Sequence, residues 1–146
     1  MRFWLPLAAV LLPLTAAAQS AQPTTLASLR DHARPLLIFT ARPDDPLLAE
    51  QLRLLVGQAA GVEDRELVPI ALPLHGVAPT PEHLSSAEAE RLRHQLHIEA
   101  DRFTVVLIGK DGGEKVRATQ PIRPGELFAT IDAMPMRQDE MRQRAH

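Results

Sequence analysis

The polar residues best placed to do chemistry gather at Thr40-Ala-Arg42-Pro-Asp44-Asp45-Pro46, directly after the apolar run Leu36-Leu-Ile-Phe39. Asp45 suits a helix N-cap and Pro46 the first helical position, where its missing N–H costs nothing. The unpaired N–H groups of a helix start favour negative charge. Arg42 with those groups could therefore hold an anion, or Asp44 or Asp45 could act as a base. The plainer role, a carboxylate that simply caps the helix, uses the same groups and competes with both. A second cation and carboxylate meet in Gly109-Lys110-Asp111-Gly-Gly113. Phosphate-binding loops run from a strand through glycines into a helix. This segment instead joins two strand-like runs, so it reads as a hairpin turn with an Asp-Gly signal. Thr40, Arg42, Asp44, Asp45, Lys110 and Asp111 together form the candidate ligand or partner site, with no catalytic role assigned to any of them.

Other reactive side chains are less specific. His94 and His97 stand three apart with Asp101 following, but lack the His-Glu-x-x-His spacing that brings two ligands and a base together. They read as solvated histidines. Met134, Met136 and Met141 offer soft thioethers, and equally suit a packing patch around Pro135. Ser85 and Ser86 do not lie in a Gly-x-Ser-x-Gly elbow. Cysteine is absent altogether, so the chain has no thiol chemistry of its own and forms no disulfide. No cofactor and no metal follow from these patterns.

The elements that must position these residues can be read from periodicity. Leu36–Phe39 is apolar on both faces, as in an interior strand of a parallel sheet. A helix from Pro46 to about Ala60 follows, with Leu48, Leu52, Leu55 and Ala59 on one face, and Gly61 is expected to stop it. Leu67–Leu72 is a second strand, which Pro69 places at a sheet edge or with that N–H position facing solvent. Ser85 with Glu88 predicts a capping box for a helix to about His97. Phe103–Ile108 and Glu114–Thr119 then form a strand pair across the glycine turn, with Val116 and Ala118 on one face. Glu126 to about Ala133 is a helix with Leu127, Ile131 and Met134 inward, and Pro135 marks a break or kink. Gln138–Arg144 is polar, a frayed or partly docked tail. The expected fold is α/β: a four-stranded mixed sheet with the first strand central and helices on both faces.

Residues 1–18 read as a signal peptide, since Arg2 precedes the apolar run Phe3–Leu14 and Ala16-Ala-Ala18 offers small residues for cleavage. The run is shorter than the roughly 20 residues a membrane-spanning helix requires, so no transmembrane segment is expected after cleavage. Residues 19–34 form a polar lead-in, 35–137 the domain and 138–146 the tail. The formal charge of −2 offers no basic footprint for phosphates and excludes a nucleic-acid partner.

The element order resembles thioredoxin-like proteins, which carry a reactive cysteine between the first core strand and its helix, where the helix start stabilises a thiolate. In this chain the junction has no sulfur. A more specific resemblance rests on Arg34-Pro-Leu-Leu-Ile-Phe-Thr-Ala-Arg-Pro-Asp-Asp45, Phe103-Thr-Val-Val-Leu-Ile-Gly-Lys-Asp-Gly-Gly113 and Glu126-Leu-Phe-Ala-Thr-Ile-Asp-Ala-Met-Pro-Met-Arg137. These segments look like those of the DUF4174 family. That resemblance implies a cysteine-free thioredoxin-like fold and an exported protein of the bacterial periplasm, similar to C-terminal domains of certain animal extracellular-matrix proteins, and it implies no reaction. The expected function is a non-redox binding or structural module with an envelope protein as partner. Its rivals are an enzyme or anion binder that uses Arg42, Asp44 and Lys110 at the C-terminal end of the parallel strands, and self-association through the Pro69 edge or the Met134–Arg144 tail.

Overall fold

The computed structural model describes residues 24–146. The proposed signal peptide and the start of the lead-in lie outside the described residues. A short helix α1 (Leu26–Leu29) leads into β1 (Arg34–Thr40), α2 (Pro46–Val56), α3 (Ala59–Asp64) and β2 (Leu67–Pro73). The chain continues through α4 (Ser86–Gln95), β3 (Thr104–Ile108), β4 (Glu114–Ala118), α5 (Pro124–Asp132) and α6 (Pro135–Arg144). The strands form one mixed sheet in the order β2-β1-β3-β4, which is the expected arrangement. β1 runs parallel to β2 and antiparallel to β3, and β3 runs antiparallel to β4.

Strand alternation sorts the core into two layers. Leu36 and Ile38 of β1, with Val105 and Leu107 of β3, face α2 and α5 through Leu48, Leu55, Leu127 and Ile131. Leu37 and Phe39, with Val106 and Ile108, face α4 and α1 through Leu92, Leu26 and Leu29. Burial of each such side chain contributes about 1.5–3 kcal/mol. Pro35 sits inside the central strand without losing a ladder bond on the β3 side, because it lies beyond the last β1–β3 pair, Leu36 with Leu107.

The outer edge of β2 has its own chemistry. Leu74 N–H turns inward to Thr40 O, so by alternation residues 67, 69, 71 and 73 turn outward. Two of these are prolines, Ala71 donates its N–H to Thr80 Oγ1 at 3.0 Å, and Leu67 stands at the start of the strand.

Several local expectations change. The helix after Pro46 ends at Val56, with Gly57 as its C-cap, and Gly61 lies within α3. Gly61 is needed there for close approach: a Cβ would stand 2.6 Å from Phe128 Cε2. Half of the predicted capping box forms. Ser85 Oγ accepts from Glu88 N–H, while the Glu88 carboxylate turns to Leu26 N–H at 2.9 Å and so ties α1 to α4. α4 stops at Gln95, and His97 takes a positive φ of 53° outside it, so His94 and His97 do not share a helical face. α5 begins at Pro124 rather than Glu126. The polar tail is a helix docked by its charges. Met134 packs on the core, whereas Met136 and Met141 are exposed.

Candidate functional site

At the C-terminal end of β1 the sequence places its polar residues as a self-satisfied turn. The Thr40 hydroxyl donates to Asp45 Oδ2 at 2.9 Å, and Asp45 Oδ1 accepts the Leu47 N–H at 2.8 Å. Asp45 is therefore the cap of α2, and the anion-attracting end of that helix already holds a carboxylate. Arg42 grips Asp44 through two parallel hydrogen bonds, Nε to Oδ1 at 2.8 Å and Nη2 to Oδ2, with both side chains exposed. The hydrogen bond from Arg42 lowers the Asp44 pKa, and the same bond raises that of Arg42. Asp44 stays ionised, which is the wrong direction for a base poised near neutrality.

A residue that periodicity did not single out lies beneath this turn. Arg93 of α4 is 8% exposed. Its Nη2 donates to Thr40 O at 3.1 Å and to Leu72 O, and its guanidinium stands 5.3 Å from the Phe39 ring centre. Burial lowers its pKa. The guanidinium ties together the carbonyl ends of the two parallel strands, where open α/β sheets commonly leave a ligand crevice. Its place beside Leu92 on the inward side of α4 was the available signal.

Lys110 and Asp111 lie elsewhere. Because β3 is antiparallel to β1, with Leu107 opposite Leu36, its exit lies beside Arg34 at the start of β1, the far end from Thr40. The six predicted residues therefore do not form one site. Thr40, Arg42, Asp44 and Asp45 stay together. Asp111 serves the hairpin turn, accepting from Lys115 Nζ at 2.7 Å and from Gly113 N–H at 3.0 Å.

Lys110 joins a buried charge network that sequence reasoning did not assemble. Its ammonium donates to Glu140 Oε1 at 2.7 Å and to Glu66. Arg34, fully buried at 0% exposure, donates from Nη2 and Nη1 to the same Glu140 carboxylate at 2.9 and 3.3 Å, and from Nη1 to Arg65 O at 2.9 Å. Arg137 extends the network from α6, donating to Asp132 at 3.2 Å, to Asp64 O at 2.9 Å and to the Asp64 carboxylate. Arg65 closes on Asp132 at 2.7 Å and stacks 4.2 Å above the Phe128 ring. Burial alone would oppose ionisation of Glu140, but hydrogen bonds from Arg34 and Lys110 outweigh it and pull its pKa down to about 2. The three segments that carry the family resemblance meet here, since they supply Arg34, Lys110 and Arg137. Among the described residues no three His, Asp or Glu side chains gather as a metal site.

The sequence profile of DUF4174, a domain of unknown function, matches residues 25–140. Among curated proteins, bovine Sushi repeat-containing protein SRPX2 is 30% identical over 118 residues, covering 78% of this chain and 25% of that protein. Human Sushi repeat-containing protein SRPX is 32% identical over 127 residues, covering 80% and 27%. The chain thus spans about a quarter of the length of these relatives. Among solved structures, Plasmodium vivax 2-Cys peroxiredoxin superposes with a TM-score of 0.55 at 14% identity, covering 78% of this chain and 84% of that one. The exposed lipoprotein thioredoxin Etrx1 of Streptococcus pneumoniae gives 0.50 at 12% identity, covering 75% and 90%. At these identities the likeness concerns the fold alone, which is thioredoxin-like.

Proposed function

Because the chain belongs to the DUF4174 family, a domain of unknown function carried here on a thioredoxin-like fold, we propose that it is a non-redox, exported binding module of the bacterial cell envelope. The observation that carries this reading is the junction at the end of β1. The position that holds the reactive sulfur in thioredoxin-like enzymes is filled by a cysteine-free turn whose Thr40 and Asp45 are committed to each other and to α2. What the turn offers outward is the paired Arg42–Asp44 unit, a recognition feature for a partner protein rather than a reactive group. The apolar leader Phe3–Leu14 supports export, and the periplasm is the compartment proposed. The rival reading, an enzyme or anion binder at the same junction, keeps Arg42 and Asp44 but not Lys110, which lies at the opposite end of the sheet.

The test is capture of partners by the tagged protein from envelope extract at several salt concentrations, read by mass spectrometry. A reproducible partner that is lost with Arg42→Ala or Asp44→Ala supports the reading. Recovery of nothing above a control at every salt concentration overturns it.

A further inference from the structure

We propose that the recess at the start of α6 is a binding site for a small oxyanion or a carboxylate group. The site lies at the opposite end of the sheet from the Arg42–Asp44 turn, and the proposal does not depend on the partner reading given for that turn.

Three independent features converge on it. The first is the helix start itself. α6 begins with Met134 as N-cap and Pro135 behind it, and no side chain caps its N–H groups. The first-turn amides carry the partial positive charge of the helix without an acceptor from the chain. In this they differ from α2 and α4, whose starts are held by Asp45 and Ser85.

The second is Arg34. Its side chain lines the recess, it is fully buried, and its Nη1 and Nη2 donate to Glu140 and the Arg65 carbonyl. Three of its five donors are used in this way; of the two left, on Nη2 and Nε, the Nε–H belongs to a buried nitrogen with no partner at all. Buried donors are almost always paired, so this one calls for an acceptor.

The third is the lining. The recess holds about 50 Å³ and is bounded by Gly109, Lys110, Lys115, Met134 and Met136 in addition to Arg34 and Pro135. An ammonium has three donors. Lys110 spends two on Glu66 and Glu140, and Lys115 spends one on Asp111. Asp111 also lines the recess, and its charge opposes an anion there, although Lys115 and Gly113 each occupy one of its oxygens. The donors left on Arg34, Lys110 and Lys115 suit a guest that accepts, held on the side of the recess away from Asp111. Helix starts with free amide donors are established anion sites. The chemistry is common to a free oxyanion and to a carboxylate on a larger molecule, such as a peptide chain end.

The experiment follows the backbone amide resonances of the isotopically labelled protein at fixed ionic strength, with chloride as the control. Inorganic phosphate, acetate, and a short peptide with a free or an amidated C-terminus are titrated in turn. Saturable shifts at Gly109, Met136 and Arg137 are expected. Phosphate binding most tightly identifies a free oxyanion as the guest, and a peptide whose binding requires its free carboxylate identifies a chain end. Both outcomes support the site.

Lys115→Gln should weaken binding about tenfold, the loss of one charge-assisted hydrogen bond, and Asp111→Asn should strengthen it. Gly109→Ala should abolish it. The added Cβ would lie 2.5 Å from Lys115 Cε and 2.8 Å from Asp111 Oδ1, the mobile ends of side chains that can move without unfolding the protein but would then crowd the recess. Unchanged resonances elsewhere would certify the fold of each variant. Absence of saturable shifts with every probe, or binding as tight as wild type in both Gly109→Ala and Lys115→Gln, would overturn the proposal.

Discussion

Replacement of Glu140 by Gln tests whether the charge network holds α6 in place. The Glu140 carboxylate is 19% exposed and is the shared acceptor for Arg34 and Lys110, which are 1% and 8% exposed. The amide introduced by Glu140→Gln would keep the shape and one acceptor oxygen, yet it would set an N–H₂ donor against two buried cations. Two routes give the magnitude. Breaking a buried ion pair by removing one partner costs about 3–5 kcal/mol. Independently, a carboxyl held at about 2 rather than its ordinary 4.5 is linked to stability at 1.36 kcal/mol per pH unit, which gives about 3 kcal/mol at pH 7. The routes agree to within their precision, and for a domain of this size the loss corresponds to roughly 10 °C in Tm. The sign with pH follows from the depressed folded-state value: the contribution is complete above the unfolded pKa of 4.5 and is lost as the pH falls through about 2. Urea unfolding of wild type and Glu140→Gln at pH 7 should therefore differ by about 3 kcal/mol, with the gap closing between pH 4.5 and 2. A variant within about 1 kcal/mol of wild type at pH 7, or a deficit that persists undiminished at the acid end, would refute the reasoning.

Other substitutions probe single contacts. Gln51 is fully buried, and its amide brackets Ile122, with Nε2 donating to Ile122 O at 3.0 Å and Oε1 accepting Ile122 N–H at 2.8 Å. Gln51→Leu orphans both backbone groups and should lower unfolding free energy by about 2–4 kcal/mol, measured in urea. Gly61→Ala should destabilise by about 1–3 kcal/mol despite alanine's better helix propensity, because the new methyl meets the Phe128 ring; a neutral or stabilising result would mean that the ring yields freely. Asp45→Ala removes both the α2 cap and the Thr40 contact and should cost about 1–2 kcal/mol in the same assay.

The parts of the fold legible in the sequence are those written in neighbouring residues. The apolar run Leu36–Phe39, the Asp45-Pro46 helix start and the glycine turn after Ile108 each carry a local signal, and together they gave the strand order β2-β1-β3-β4. The Asp45 cap was legible for the same reason: donor and acceptor lie two residues apart. The charge network was not legible, because its central pair, Arg34 and Glu140, is separated by 106 positions. In sequence Glu140 is one acid in a polar run, with the composition of a solvated tail. The residue type of Lys110 suggests a place beside Arg42, whereas its position depends on β3 running antiparallel to β1, which puts it at the other end of the sheet. Gly61 misled in another way. A glycine near a helix end signals a stop, but here it answers to Phe128, 67 positions later in the chain.

The outer edge of β2 bears on how this protein behaves in a crowded compartment. With Pro69 and Pro73 lacking N–H groups and Thr80 occupying that of Ala71, a strand from another molecule finds almost no ladder to extend. At the opposite edge, β4 presents exposed Glu114, Lys115 and Arg117. One margin of the sheet withholds most of its donors and the other surrounds them with charge, and both features disfavour edge-to-edge pairing. An edge built in this way is protected by its own residues, and needs no covering helix to keep other strands away.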